Sequence, residues 1–67
     1  MVKVNEIKLN SQTKKATVAL FADTKSEVAG ATIEGMPSGY TVETGSTIIT
    51  ASAELAFMKS DGTWNWV

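Results

Sequence analysis

Residues Gly45 to Val67 read GSTIITASAELAFMKSDGTWNWV, and the division of this stretch into strands and turns decides the fold. Ser46 to Ala51 is rich in β-branched residues and reads as a strand, Ala51 to Glu54 as a tight connection, Leu55 to Lys59 as a second strand and Thr63 to Val67 as a third. Together they make a β-meander. Asp61-Gly62 stands between two strand runs, and this pair tolerates the two positive φ values that a type I′ hairpin turn requires. A two-residue loop there sets Ser60 opposite Thr63, Lys59 opposite Trp64, Met58 opposite Asn65, Phe57 opposite Trp66 and Ala56 opposite Val67. Leu55, Phe57, Lys59, Trp64 and Trp66 then share one face, and a slip of one residue turns the whole set over. A helix over Ser52 to Ser60 is the alternative, because SAELAFMKS consists largely of good helix formers. The alternation of Trp64-Asn65-Trp66 directly after the turn favours the strand.

Upstream, Gly35-Met36-Pro37-Ser38-Gly39 holds the only proline between two glycines and reads as a turn, with Ala31 to Glu34 a short strand before it. Asp23 to Gly30, DTKSEVAG, has a capping residue at Asp23 or Thr24, Glu27 three beyond Thr24 and a closing glycine, which permits at most one helical turn near 24–29. Val2, Val4, Ile7 and Leu9 alternate imperfectly, a polar run from Asn10 to Lys15 follows, and Ala16 to Ala22 is apolar, so two strands joined by a polar loop are expected. The first of these strands has two partners open to it, its own chain or a neighbouring one. The expected fold class is all-β. It is a single domain, residues 1–67, of about five to seven short strands in an antiparallel meander closed as a sandwich or barrel-like sheet.

Composition narrows the function. The 67 residues include six Lys, no Arg, no His and no Cys, against seven acidic residues, for a net charge of −1. Disulfides and His/Cys zinc sites are therefore excluded, and no cofactor is expected. Without an Arg or a basic cluster there is no footprint for nucleic acid. No apolar run approaches the roughly 18 residues of a membrane span, and the N-terminus lacks a signal-peptide core, so synthesis in the cytoplasm is expected. Hydrophobic content is 43%, enough to fold, yet a domain of this size buries only about 60% of its unfolded surface. Self-association is the expected remedy.

Nothing in the chain assembles into a catalytic set. Ser26 and Ser60 sit beside Lys25 and Lys59, but neighbours on a strand point to opposite faces. Glu43 and Glu54 flank the strand from Gly45 to Ala51 and read as solvated carboxylates, and Asp61-Gly62 lacks the remaining ligands of a calcium loop. Gly35, Gly39 and Gly45 lack phosphate-loop spacing. The chain reads as a non-enzyme. Tyr40, Trp64 and Trp66 are the residues suited to binding, with Phe57 as a packing anchor beside them. They are expected either to pack in the core or a subunit interface, or to stack on a sugar from an exposed platform.

From Gly39 to Val67 the sequence resembles the head fibre, or capsid fibre, proteins of tailed bacteriophages and prophages of Gram-positive hosts. The shared features are the Pro-x-Gly-Tyr turn at Pro37 to Tyr40, the Gly-Ser that opens a strand ending in Thr-Ala at Gly45 to Ala51, and the closing Ser-Asp-Gly-Thr-Trp-x-Trp at Ser60 to Trp66. Asp23 to Val28 is similar to their Asp-Ser-Lys-x-Glu-Val pattern. The chain departs from them in having neither a collagen-like nor a coiled-coil shaft. Tail and baseplate proteins share the Asp-Gly-x-Trp hairpin. The resemblance implies a non-enzymatic virion protein, a homotrimer, docked on a capsid or other virion protein or facing a host-surface glycan.

Overall fold

In the computed structural model, which describes residues 1–67, the long strands form where apolar and polar residues alternate. Strands β1 (Val2–Asn10) and β2 (Lys15–Ala22) make an antiparallel hairpin over a polar loop in which Lys14 adopts φ 58°. Asn10 Oδ1 accepts hydrogen bonds from the amides of Gln12 and Thr13, at 3.1 and 3.3 Å, so the side chain that ends the strand also builds its turn. The N-terminal segment thus pairs within its own chain. Its register shifts between Val4 and Glu6, a bulge that leaves Asn5 unpaired and accounts for the imperfect alternation of Val2, Val4, Ile7 and Leu9. The expected helical turn is one turn of 3-10 helix, Lys25–Glu27, with Glu27 Oε1 accepting the Asp23 amide at 2.7 Å.

Five short strands complete the chain: β3 (Ile33–Glu34), β4 (Thr41–Val42), β5 (Thr47–Thr50), β6 (Leu55–Met58) and β7 (Trp64–Trp66). All seven lie in one sheet of order β3-β1-β2-β5-β6-β7, with β4 also on β2. The fold is all-β. Its sheet is mixed where an antiparallel one was expected, because β3 runs parallel to β1, and β4 and β5 run parallel to β2. The cause is the path from Ala22 to Tyr40: the chain leaves the end of β2, crosses one face of the sheet and re-enters alongside the start of β2, which only a parallel pairing accommodates. The order has two free ends, so the sheet closes neither as a barrel nor against a second sheet. Outside β3, that crossing segment supplies the second layer, with Val28, Ala31, Met36 and Tyr40 packed, beside Ile33 of β3, against the core of Val2, Val18, Leu20, Ile48 and their neighbours.

β4 and β5 share one edge of β2, but the residues between them, Glu43 to Ser46, face only Thr17 and Val18. Two extra residues break the ladder there. The buried hydroxyl of Ser46 repairs it, accepting the Val18 amide at 3.0 Å and lying 3.5 Å from the Ala16 carbonyl oxygen. No buried side-chain polar atom is left without a partner.

The meander from β5 to β7 turns twice through three-residue loops. Thr50 and Glu54 close the first around Ala51-Ser52-Ala53, with Ala53 at φ 63°, and Lys59 and Thr63 close the second around Ser60-Asp61-Gly62, with Gly62 at φ 86°. The second loop corrects the two-residue reading. Asp61 Oδ1 accepts both the amide and the hydroxyl of Thr63, at 3.0 and 2.6 Å, which holds Asp61 outside the left-handed region and leaves the positive φ to Gly62 alone. The register therefore moves by one: Met58 faces Trp64, Phe57 faces Asn65 and Ala56 faces Trp66. Leu55 and Phe57 lie on one face of the sheet, Trp64 and Trp66 on the other. Ser52 to Ser60 is not helical.

Two substitutions test these backbone devices. Ala53→Gly relieves a left-handed residue and is expected to stabilise the fold by about 1 kcal/mol, a rise in Tm of roughly 4–8 °C by calorimetry; an unchanged or lower Tm would remove strain from that loop. Ser46→Ala orphans the buried Val18 amide and is expected to cost about 1–3 kcal/mol in urea unfolding. A loss below about 0.5 kcal/mol would mean that the amide finds another acceptor.

Candidate functional site

The two faces of the sheet differ in cover, and each carries part of the expected binding set. On the outer face no other segment packs. Pairing across the strands aligns Lys3, Phe21, Ile49 and Leu55 in one row and Glu6, Ala19, Thr47, Phe57 and Asn65 in the next. Phe57, Ile49 and Leu55 are 41%, 43% and 43% exposed, and Phe21 is half-buried with the Lys3 ammonium 5.9 Å from its ring centroid. The result is a contiguous apolar patch across the middle strands of the sheet. Exposed apolar surface of this kind, with charges confined to its margins, is the usual mark of an interaction face.

The consecutive pair Ile48-Ile49 explains part of it. In a strand, successive side chains point to opposite faces, so Ile48 is fully buried and Ile49 must stand in solvent. Leu55 and Phe57 share a face already in the sequence, and Ile49 joins them across the β5–β6 hairpin; Phe21 joins only once the parallel pairing of β2 with β5 is known. The signal for Ile49 was in the sequence, as two adjacent large apolar residues in a short strand.

On the covered face Trp64 and Trp66 are half-buried against the core and line a cleft of about 440 Å³. Leu20, Ile48 and Met58 form its floor, and Val28 and Ile33 border it from the crossing segment. The Lys25 ammonium lies 5.1 Å from the Trp66 ring centroid, a cation–π contact that ties the 3-10 turn to the last strand. Tyr40 is half-buried at the far end of the core with the Lys14 ammonium 5.4 Å from its ring. The structure therefore brings Trp64 and Trp66 together, separates them from Phe57 by the thickness of the sheet, and leaves Tyr40 outside the cleft lining.

Carboxylates are scattered among local partners. Glu43 accepts the Thr17 hydroxyl at 3.0 Å and Glu54 the Thr50 hydroxyl at 3.1 Å, at opposite ends of β5. Asp23 and Glu27 both accept from the Met1 ammonium, at 3.1 and 2.6 Å. Hydrogen bonds from that ammonium and from the Asp23 amide hold the Glu27 carboxyl below its ordinary value. The hydroxyl and amide of Thr63 do the same for Asp61. No group of three His, Cys, Asp or Glu side chains is assembled that could hold a metal ion. The chemistry these surfaces offer is burial of apolar and aromatic groups.

Comparison with protein-family models, with curated proteins and with solved structures finds no match.

The lowered Asp61 value makes the β6–β7 turn acid-sensitive. A depressed carboxylate adds stability above its unfolded value, here 3.8, and that contribution fades as pH falls through the lower folded value. Amide exchange at Gly62 and Thr63 is expected to accelerate, relative to β2, as pH drops below about 4 once intrinsic exchange rates are divided out. Asp61→Asn should flatten that pH dependence; an equally steep profile in the variant would assign the acid sensitivity elsewhere.

Proposed function

We propose that this chain is a non-enzymatic structural protein of a phage virion, a head fibre or capsid decoration, that self-associates through the outer face of its sheet and docks on a capsid or other virion protein. The observation that carries the reading is the uncovered patch of Phe21, Ile49, Leu55 and Phe57. Only 11 of 67 residues are buried in the single chain, so the core is small and the outer face holds the apolar area that would enlarge it. The virion assignment rests on the resemblance of Pro37–Tyr40, Gly45–Ala51 and Ser60–Trp66 to head fibre sequences.

The occupant of the face is another copy of this chain. Both margins of the patch carry each sign of charge, Glu6 and Lys8 on β1 and the exposed Lys59–Asp61 ion pair, 3.8 Å apart, at the β6–β7 turn. Three copies that turn this face toward a common axis bring the β1 margin of one against the β6–β7 margin of the next. Opposite charges can then meet at every seam, which suits the trimer that the resemblance implies. A glycan platform is less well supported, since both tryptophans are half-buried and turned toward the core.

Light scattering during size-exclusion chromatography is expected to give three times 7.1 kDa. Phe57→Asp sets a charge in the centre of the patch and should yield a folded single chain, with wild-type far-UV circular dichroism. A wild-type chain that stays monomeric at every accessible concentration would overturn self-association, and a Phe57→Asp variant that still assembles would move the interface off this face.

A further inference from the structure

We propose that the cleft on the covered face binds an amphipathic carboxylate, a free medium-chain fatty acid, with its chain over Leu20, Ile48 and Met58 and its head group on Lys25. The cavity, about 440 Å³, falls in the range of small-molecule sites. Its lining is apolar and aromatic, and the only side chains on it that are neither are Lys25 and Thr63. A hydrocarbon chain suits such a wall. Over the floor of Leu20, Ile48 and Met58 the amides of a peptide or the hydroxyls of a sugar would have no side-chain partner.

The charge at the cleft fixes the head group. Asp23 and Glu27, the carboxylates closest to Lys25 in sequence, are both engaged by the Met1 ammonium, at 3.1 and 2.6 Å. Lys25 itself makes no ion pair; its ammonium rests 5.1 Å from the centroid of the Trp66 ring, which is one wall of the cleft. Lys25 is the one charged side chain on the wall of this cavity, and its ammonium is complementary to one anion carrying an apolar tail. Val28, Ile33 and Trp64 border the space the tail would fill.

This inference is independent of the outer face, and its test keeps the two apart. Decanoate, below its micelle concentration, is titrated into the full chain and followed by tryptophan fluorescence and by amide chemical shifts. Shifts are expected at Val28, Trp64 and Trp66, and octanoate should bind roughly tenfold more weakly for its two missing methylenes. Lys25→Met should weaken decanoate at least several-fold and leave decanol unchanged. Phe57→Asp should leave decanoate binding intact whatever it does to the oligomer. The proposal is overturned if decanoate leaves the cleft signals unmoved, if Lys25→Met binds it as tightly as the wild type, or if the shifts fall on Ile49, Leu55 and Phe57 instead.

Discussion

Two residues held at positive φ, Ala53 and Gly62, set the parity of the meander and with it the side on which each of its side chains stands. In a strand the alternation has period two, so a loop longer by one residue exchanges the faces wholesale. Three residues in each loop put Ile48, Ala56, Met58 and the two tryptophans on the covered side and Ile49, Leu55 and Phe57 on the open side. Both the cleft and the open patch follow from that parity. Gly62 takes the left-handed conformation freely, whereas Ala53 holds it against the steric cost of its Cβ.

The second organising element is β2, which is paired along both edges and buries Ala16, Val18, Leu20 and Ala22 in strict alternation. The break between β4 and β5 would leave the Val18 amide unpaired in the interior, and one serine hydroxyl in that gap satisfies it. A two-residue insertion in the ladder is thus carried at small energetic cost, and it lets two short strands share one edge of a longer one.

Much of this was legible in the residues. The strands at Val2–Asn10, Lys15–Ala22, Thr47–Thr50, Leu55–Met58 and Trp64–Trp66 follow from local alternation and turn chemistry, which act over a few residues and leave a local trace. The hairpin register did not follow, because Asp-Gly serves two loop lengths equally well and the choice is made by the Asp61 carboxylate binding Thr63. The parallel pairing of β2 with β5 was not legible either. It joins residues more than twenty positions apart and leaves no periodic mark in either segment. The site inherited both gaps: Phe57 and the tryptophans were named as one cluster and lie on opposite faces, and Lys25 met Trp66 only through the tertiary path of the crossing segment.

The outer edge of β1 is open beyond Lys3, because β3 pairs only with Val2 and Lys3. Its Ile7 and Leu9 are 39% and 46% exposed, which on an unguarded edge invites endless strand-to-strand growth. Glu6 and Lys8 alternate with them and the bulge at Asn5 bends the strand, while the opposite edge, β7, is three residues long. Chains added edge to edge form open-ended ribbons, whereas chains packed face to face about an axis close at a fixed number. The edges of this sheet are thus guarded against lengthening by added strands, while its open face carries no such guard.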